Sequence, residues 1–274
     1  MSDAPVVCCD LDGVVWLGDR PIPGAAAGIA AIRAAGLRVA FITNNSGRPV
    51  ADYVDRLAHH GIPAEPEDIV TSALLAADLL AGAVPGGSRI LACAGPGVRA
   101  ALADRGFEIV AEGPAAAVVV GWHDDFDFTG LRRAAAAIRA GARYVATNLD
   151  PTYPGAEGIL PGAGSIAAAV TAAAGRDPEV AGKPTATAAA YVRRHLGPVG
   201  VMIGDRPSTD GDFAAVLGWP FALVLSGIAG PGGEEPVPDP APAYVAADLG
   251  ALAPSLIADF ARAAEPGVRR PGPP

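Results

Sequence analysis

Short apolar runs alternate along this chain with longer alanine-rich stretches of helical composition. Val6–Cys9 and Leu37–Ile42 read as buried strands. Ala25–Ala35 and Val50–His60 read as helices, closed by Gly36 and Gly61. Further on, strands are expected at Arg89–Cys93, Ala117–Val120 and Arg143–Ala146, and helices at Val98–Arg105, Thr129–Ala140 and Ser165–Ala174. A helix at Pro184–Leu196, a strand at Val199–Ile203, a helix at Gly211–Leu217 and a strand at Phe221–Leu225 complete the pattern. Strands separated by single helices indicate βαβ units, so the expected fold class is α/β with a parallel sheet. Tyr153–Pro161 and the Pro/Gly/Glu-rich stretch Gly230–Pro242 read as loops. The residues from Glu265 onward are expected to fray.

Composition narrows the function classes. The chain has 274 residues, 51% of them hydrophobic and 18% charged, enough for a sizeable core and for roughly two domains. The formal net charge is −9, and before the tail no basic cluster exceeds Arg132-Arg133 or Arg193-Arg194. Binding to nucleic acid or to an anionic membrane surface is therefore disfavoured. No apolar stretch approaches the ~20 residues needed to span a bilayer, and the first residues lack the cationic segment of a secretory signal. Three cysteines, two of them adjacent (Cys8, Cys9, Cys93), do not make a disulfide framework. A reducing, cytoplasmic location is expected. No ligand spacing for zinc is present.

Four polar groups flank the apolar runs. Asp10, Thr43 and Asp205 stand at or just after strand ends, and Lys183 precedes a helix. Ligands of open parallel sheets bind outside the carboxyl ends of the strands, so these groups are expected to converge. Asp10 and Asp12, two apart, repel unless one is protonated or a cation intervenes. With Asp205 and Asp210 there are four carboxylates to one lysine, a surplus that a hard, oxygen-seeking divalent cation such as Mg²⁺ would balance. Thr43, Asn44, Asn45 and Ser46 offer hydroxyl, amide and backbone donors to an anion. Taken singly, each residue also fits a turn, a helix cap or a solvated position. Their joint placement at strand ends points to phosphate chemistry.

The segments DLDGVVWLGDRPIPGA (10–25), ITNNS (42–46), GKP (182–184) and GDRPSTD (204–210) resemble, in order and spacing, the four motifs of the haloacid dehalogenase superfamily. The closest likeness is to class IIA, the NagD-like and 4-nitrophenylphosphatase-like group, whose cap segment is similar to residues 147–166. The resemblance implies a Rossmann-like core of residues 1–72 and 182–274, with an α/β cap inserted at 73–181. It implies a Mg²⁺-dependent phosphatase of small phosphate monoesters. Asp10 would be the nucleophile and Asp12 the general acid and base. Thr43 and the Asn44 amide would hold the phosphoryl group, with Asn45 beside them, and Lys183 would neutralise charge. Asp10, the Asp12 carbonyl, Asp205 and Asp210 would bind metal. Asn148, Asp150, Tyr153 and the Pro161–Ser165 loop would be the cap's contribution to substrate selection, and many relatives pair as homodimers through the cap. Trp16 and Asp212 depart from the expected pattern.

Other readings are weaker. Phosphoryl transfer to a second acceptor would use the same aspartyl-phosphate. Haloacid dehalogenation has no need of Asp12. A non-enzymatic phosphoacceptor or metabolite-binding protein fits poorly with the insert between Thr43 and Lys183. Gly162-Ala163-Gly164 resembles a dinucleotide fingerprint but lacks its preceding strand. His123-Asp124-Asp125 reads as a solvated loop, and His59-His60 lies at a helix end before Gly61, where cationic groups are at home and no catalytic role is expected. Among phosphate esters, an uncharged, small-residue cap loop favours a small polyol or sugar phosphate.

Overall fold

Val6–Cys9 (β1) is buried along its whole length, as a central strand covered by helices on both faces must be. The computed structural model describes residues 5–155, 158–230 and 233–263. After β1 a small hairpin, β2 (Trp16–Leu17) and β3 (Arg20–Pro21), leads to α1 (Ala25–Ala34), β4 (Arg38–Thr43), α2 (Val50–His59), β5 (Ile69–Thr71) and α3 (Ser72–Ala81). The middle of the chain forms β6 (Arg89–Cys93), α4 (Pro96–Asp104), β7 (Glu108–Val110), β8 (Ala117–Val120), α5 (Phe128–Arg139), β9 (Arg143–Ala146), β10 (Thr152–Gly155), β11 (Gly158–Pro161), α6 (Ala163–Ala174) and β12 (Glu179–Val180). Then follow α7 (Ala186–His195), β13 (Gly200–Gly204), α8 (Asp212–Leu217), β14 (Phe221–Val224), β15 (Tyr244–Ala246) and α9 (Leu249–Ala263).

Two parallel sheets result. The first has the order β15-β14-β13-β1-β4-β5 and joins strands from both ends of the chain. The second, β12-β9-β8-β6-β7, is built from the residues between. Side chains on β1 alternate, as a period of two requires. Val6 and Cys8 enter a core shared with α3, α4, α7 and β6 of the second sheet. Val7 and Cys9 enter the core under α1, α2 and α9. The far face of the second sheet packs on α5 and α6. Among the described residues no helix is long and apolar enough to cross a membrane.

The α/β class and most long elements agree with the sequence pattern, although α3 and α9 are not among the expected helices, and three further readings are corrected. The segment expected as loop, Tyr153–Pro161, contains the antiparallel hairpin β10–β11. Its prolines and glycines read as loop residues, and β11 is exposed along its whole length, so no apolar alternation marks the hairpin. The helix expected from Pro184 starts at Ala186, with the Thr185 hydroxyl accepting from the Ala188 amide as its cap. Asp210 does not cap the helix after it. It lies in a π-helical turn, Pro207–Gly211, and α8 begins at Asp212. The expected fraying from Glu265 lies outside the described residues.

Candidate active site

The carboxyl ends of β1, β4 and β13 lie side by side in the first sheet, so Asp10, Thr43 and Asp205 meet at one edge as expected. Lys183 reaches the same point and is almost completely buried. Its Nζ lies 3.1 Å from Asp10 Oδ1 and 2.6 Å from Asp210 Oδ1, and donates to the Ile42 carbonyl at 3.4 Å. Burial alone would lower the lysine pKa. Asp10 and Asp210 outweigh it and hold the ammonium well above its ordinary value.

One carboxylate oxygen from each of Asp10, Asp205 and Asp210 lies within 4.8 Å of the others. Burial pushes the Asp10 carboxyl well above the usual range; Lys183 opposes that push, and Asp210, Asp205 and Asp12 add to it. Burial, reinforced by Asp210, raises Asp205 to about 7. The backbone is shaped around these groups. Ile228 N–H donates to Asp205 Oδ2 at 2.7 Å, and Arg206 N–H to Asp210 Oδ2 at 3.2 Å. A Cβ on Gly13 would stand 2.1 Å from Asp205 Oδ2, and one on Gly227 only 1.9 Å away. Only glycine lets both loops close on that carboxylate. Three grouped carboxylates, two of them buried, with one lysine beside them form an all-oxygen donor set with excess negative charge, which suits Mg²⁺.

The Asp12 carboxylate is not part of that group. Its Oδ1 accepts from the Trp16 indole N–H at 2.9 Å, and it is not among the carboxylates grouped for a metal. Burial raises its pKa, against the opposing effects of the Trp16 hydrogen bond and Arg56. The tryptophan that departed from the expected pattern thus holds the second acid. Asp212, the other departure, opens α8 and is not among the grouped carboxylates.

Thr43 does not cap a helix, since the next one begins at Val50. Its buried hydroxyl accepts from Asn45 N–H at 3.0 Å. The Asn44 side chain, expected near substrate, is fully engaged by protein. Its Nδ2 donates to Asp150 Oδ2 (2.8 Å) and to the Lys183 carbonyl (3.1 Å), and its Oδ1 accepts from Lys183 N–H (2.9 Å). What Asn44 can offer an anion is backbone. Asn45 Oδ1 is likewise taken, by Gly47 N–H.

The second sheet brings its carboxyl-end loops over this edge. Asn148, Asp150 and Tyr153 all line a cavity of about 60 Å³ together with Asp10, Asp12 and Thr43. Asn148 Nδ2 donates to the Asn44 carbonyl at 2.6 Å. Asp150 is a bridge: one oxygen accepts from Asn44, the other from the Thr209 hydroxyl at 3.0 Å. Tyr153 packs edge-on against Trp122, with ring centroids 6.0 Å apart. Gly162 and Gly164 fit beneath this loop, where a Cβ would strike the Asp150 and Leu149 carbonyls at 2.3 and 2.2 Å. Their spacing serves chain packing, which accounts for the fingerprint-like pattern. His123 pairs with the Gly121 carbonyl and packs on Phe126, while the His60 ring lies 5.8 Å from Trp16.

Among the lining residues not anticipated are Trp122, Arg206 and Thr209. Trp122 follows β8 by two residues, so the strand-end rule that located Asp10 could have found it. Arg206 is buried, donates to the Thr152 hydroxyl at 3.2 Å and lies 3.9 Å from Glu235. It follows β13 by two residues, so the same strand-end rule could have found it.

Comparison with known proteins agrees with this geometry. Residues 7–108 match the profile of haloacid dehalogenase-like hydrolases, and residues 180–252 that of HAD-hydrolase-like proteins. The chain is 40% identical over 222 residues to the D-glycerol 3-phosphate phosphatase of Mycobacterium tuberculosis, covering 80% of this chain but 62% of that one. It is 34% identical to chronophin of Homo sapiens, covering 84% of this chain and 83% of that protein. The fold superposes on the crystal structure of the mycobacterial glycerol phosphate phosphatase in complex with magnesium at TM-score 0.80 and 36% identity, over 90% of this chain and 75% of that one. It superposes on 4-nitrophenylphosphatase from Thermotoga maritima at TM-score 0.82 and 29% identity, over 92% and 97% of the two chains.

Proposed function

Because the chain belongs to the haloacid dehalogenase-like hydrolases, in class IIA, we propose that it hydrolyses small phosphate monoesters through an aspartyl-phosphate on Asp10. The observation that carries this reading is the division of labour among the acids. Asp10 shares the Lys183 ammonium with Asp210 and is grouped with Asp205 and Asp210, while the Asp12 carboxylate lies outside that group and accepts from Trp16.

Asp10 attacks phosphorus, a bond forms from its carboxylate oxygen, and the ester P–O bond breaks. Asp12 passes its proton to the departing alcohol oxygen. Asp12 then takes a proton from water as that water attacks the phosphoryl group, releasing phosphate and restoring Asp10. Lys183 lowers the repulsion between Asp10 and the anionic ester, and the Thr43 hydroxyl with the backbone after it orients the phosphoryl oxygens. Mg²⁺, held by Asp10, Asp205, Asp210 and the Asp12 carbonyl, would supply further charge neutralisation at the transferring group. Residues 73–181 would act as the cap over the core of residues 1–72 and 182–274, and closure would exclude water.

The favoured leaving group is a small neutral alcohol. The cavity is small, and of its two lining cations Lys183 is paired with carboxylates while Arg206 faces Glu235 and Thr152. A second anionic group on the substrate would meet no unpaired cation among the described lining residues. The test is phosphate release from a panel of monoesters, with and without Mg²⁺, for wild type and Asp10→Asn. Release that needs Mg²⁺, falls by at least roughly 10³-fold in the variant and favours polyol or sugar phosphates is the expected result. No release from any monoester by folded, Mg²⁺-loaded protein would overturn the reading.

A further inference from the structure

The Asp12 side chain is engaged by Asn45 and, through an indole N–H, by Trp16, and the tryptophan is itself held. The Trp16 side chain is completely buried. Its N–H donates to Asp12 Oδ1 at 2.9 Å, and the Arg56 guanidinium lies 4.0 Å from its ring centroid. Arg56 is in turn fixed by the Gly18 carbonyl and by Asp19, 3.7 Å away. The turn is tied at both ends, with Trp16 N–H on the Leu11 carbonyl and Gly13 N–H on the Trp16 carbonyl. An apolar core position needs a large side chain. It does not need an indole N–H aimed at a carboxylate, nor a cation stacked on the ring.

We propose that Trp16, clamped by Arg56, is the positioning residue for Asp12: it engages Oδ1 and so presents Oδ2 to the leaving-group oxygen. This rests on the assignment of Asp12 as general acid. A carboxyl free to rotate would present its proton in many directions, and proton transfer depends on a narrow alignment. Trp16 therefore acts only where a proton must be delivered. When the Asp10–phosphorus bond forms and an alkyl ester bond breaks, the departing oxygen takes the Asp12 proton and leaves as neutral alcohol. When the ester is 4-nitrophenyl phosphate, the leaving group departs as a stable phenolate and needs no proton.

The experiment compares kcat/KM for the alkyl phosphate hydrolysed fastest in the panel with kcat/KM for 4-nitrophenyl phosphate. The proteins are full-length wild type, Trp16→Phe, Arg56→Gln and Asp12→Asn, all with Mg²⁺. The ratio of the two constants is independent of the fraction of active protein, so partial unfolding does not change it. Asp12→Asn should lower the alkyl-to-aryl ratio most. Trp16→Phe should lower it by ~10-fold or more, within the range that general acid catalysis supplies, and Arg56→Gln should lower it less. If Asp12→Asn lowers the ratio and Trp16→Phe leaves it unchanged, Trp16 is a core residue only and the proposal is overturned. Should Trp16→Phe not fold, Arg56→Gln decides in the same way. If Asp12→Asn itself leaves the ratio unchanged, the assignment of Asp12 fails first and the role of Trp16 fails with it.

Discussion

Cys8 and Cys9 immediately precede the nucleophile position, yet nothing in their surroundings favours a thiolate. Burial pushes the Cys8 thiol up to about 12 and that of Cys9 well above its ordinary value. Cys93, on the other sheet, is raised to about 11 by burial. Reactivity follows the thiolate fraction, so a thiol-specific reagent at pH 8 should label none of the three in native protein and all three in denaturant. Rapid labelling of the native protein would contradict the packing of β1. At this scale the sequence was informative where chemistry and position coincide. Asp10, Thr43, Lys183 and Asp205 were legible because an acid, a hydroxyl or a lysine beside an apolar strand is conspicuous. Trp122, Arg206 and Thr209 were not, because their roles depend on a loop meeting a different loop. Asn44 and Asp150 were placed at the site, but their engagement with each other across the two sheets has no local signature.

Loops between elements do as much as the strands in shaping the metal-binding end. The segment after β14 supplies both the Ile228 amide that holds Asp205 and the glycine that makes room for it. Gly227 has no left-handed backbone requirement, so Gly227→Ala should fold. Its methyl would occupy the place of the Asp205 carboxylate, and the Mg²⁺ concentration for half-maximal activity should rise by roughly 10–100-fold, as for other supporting groups around metal sites. An unchanged Mg²⁺ requirement would show that Asp205 is not a ligand. Long elements were recognisable from periodicity, and short ones were not. β5, β7, β12 and β15 have two or three residues each, too few to show a period. α3 and α9 were passed over although both are long. α3 is too uniformly apolar to show a face, and α9 contains Pro254. The β10–β11 hairpin is broken up by Pro154, Pro161 and two glycines, which read as loop residues.

For the whole molecule, the carboxylate group makes stability depend on pH and on metal together. Asp205, raised from 3.8 to about 7, and Asp10, raised well above its ordinary value, bind protons in the folded state that the unfolded chain has released. With more protons bound to the folded form, metal-free protein must lose stability as pH rises from about 4 to 7. Lys183 does not offset this, because its raised pKa adds stability that fades only above the ordinary lysine range. The melting temperature after EDTA treatment should therefore fall across that window. Mg²⁺ should raise it most at the upper end, since a cation binding the ionised group stabilises the form that burial penalises. A pH-independent melting curve without Mg²⁺ would show that these carboxylates are better solvated than the structure has them.

The sheet order has a further consequence while the chain is being made. β1 lies between β4, which follows it closely, and β13, which begins only at Gly200. At translation rates of ~5–20 residues per second, one edge of this buried, apolar strand waits roughly 10–40 s for its neighbour to leave the ribosome. During that wait Val6–Cys9 is an unpaired template for other nascent chains. The second sheet, whose strands all lie between Arg89 and Val180, can close before β13 is synthesised. The interior of this protein therefore settles first in the middle of its chain, and the catalytic edge is assembled last.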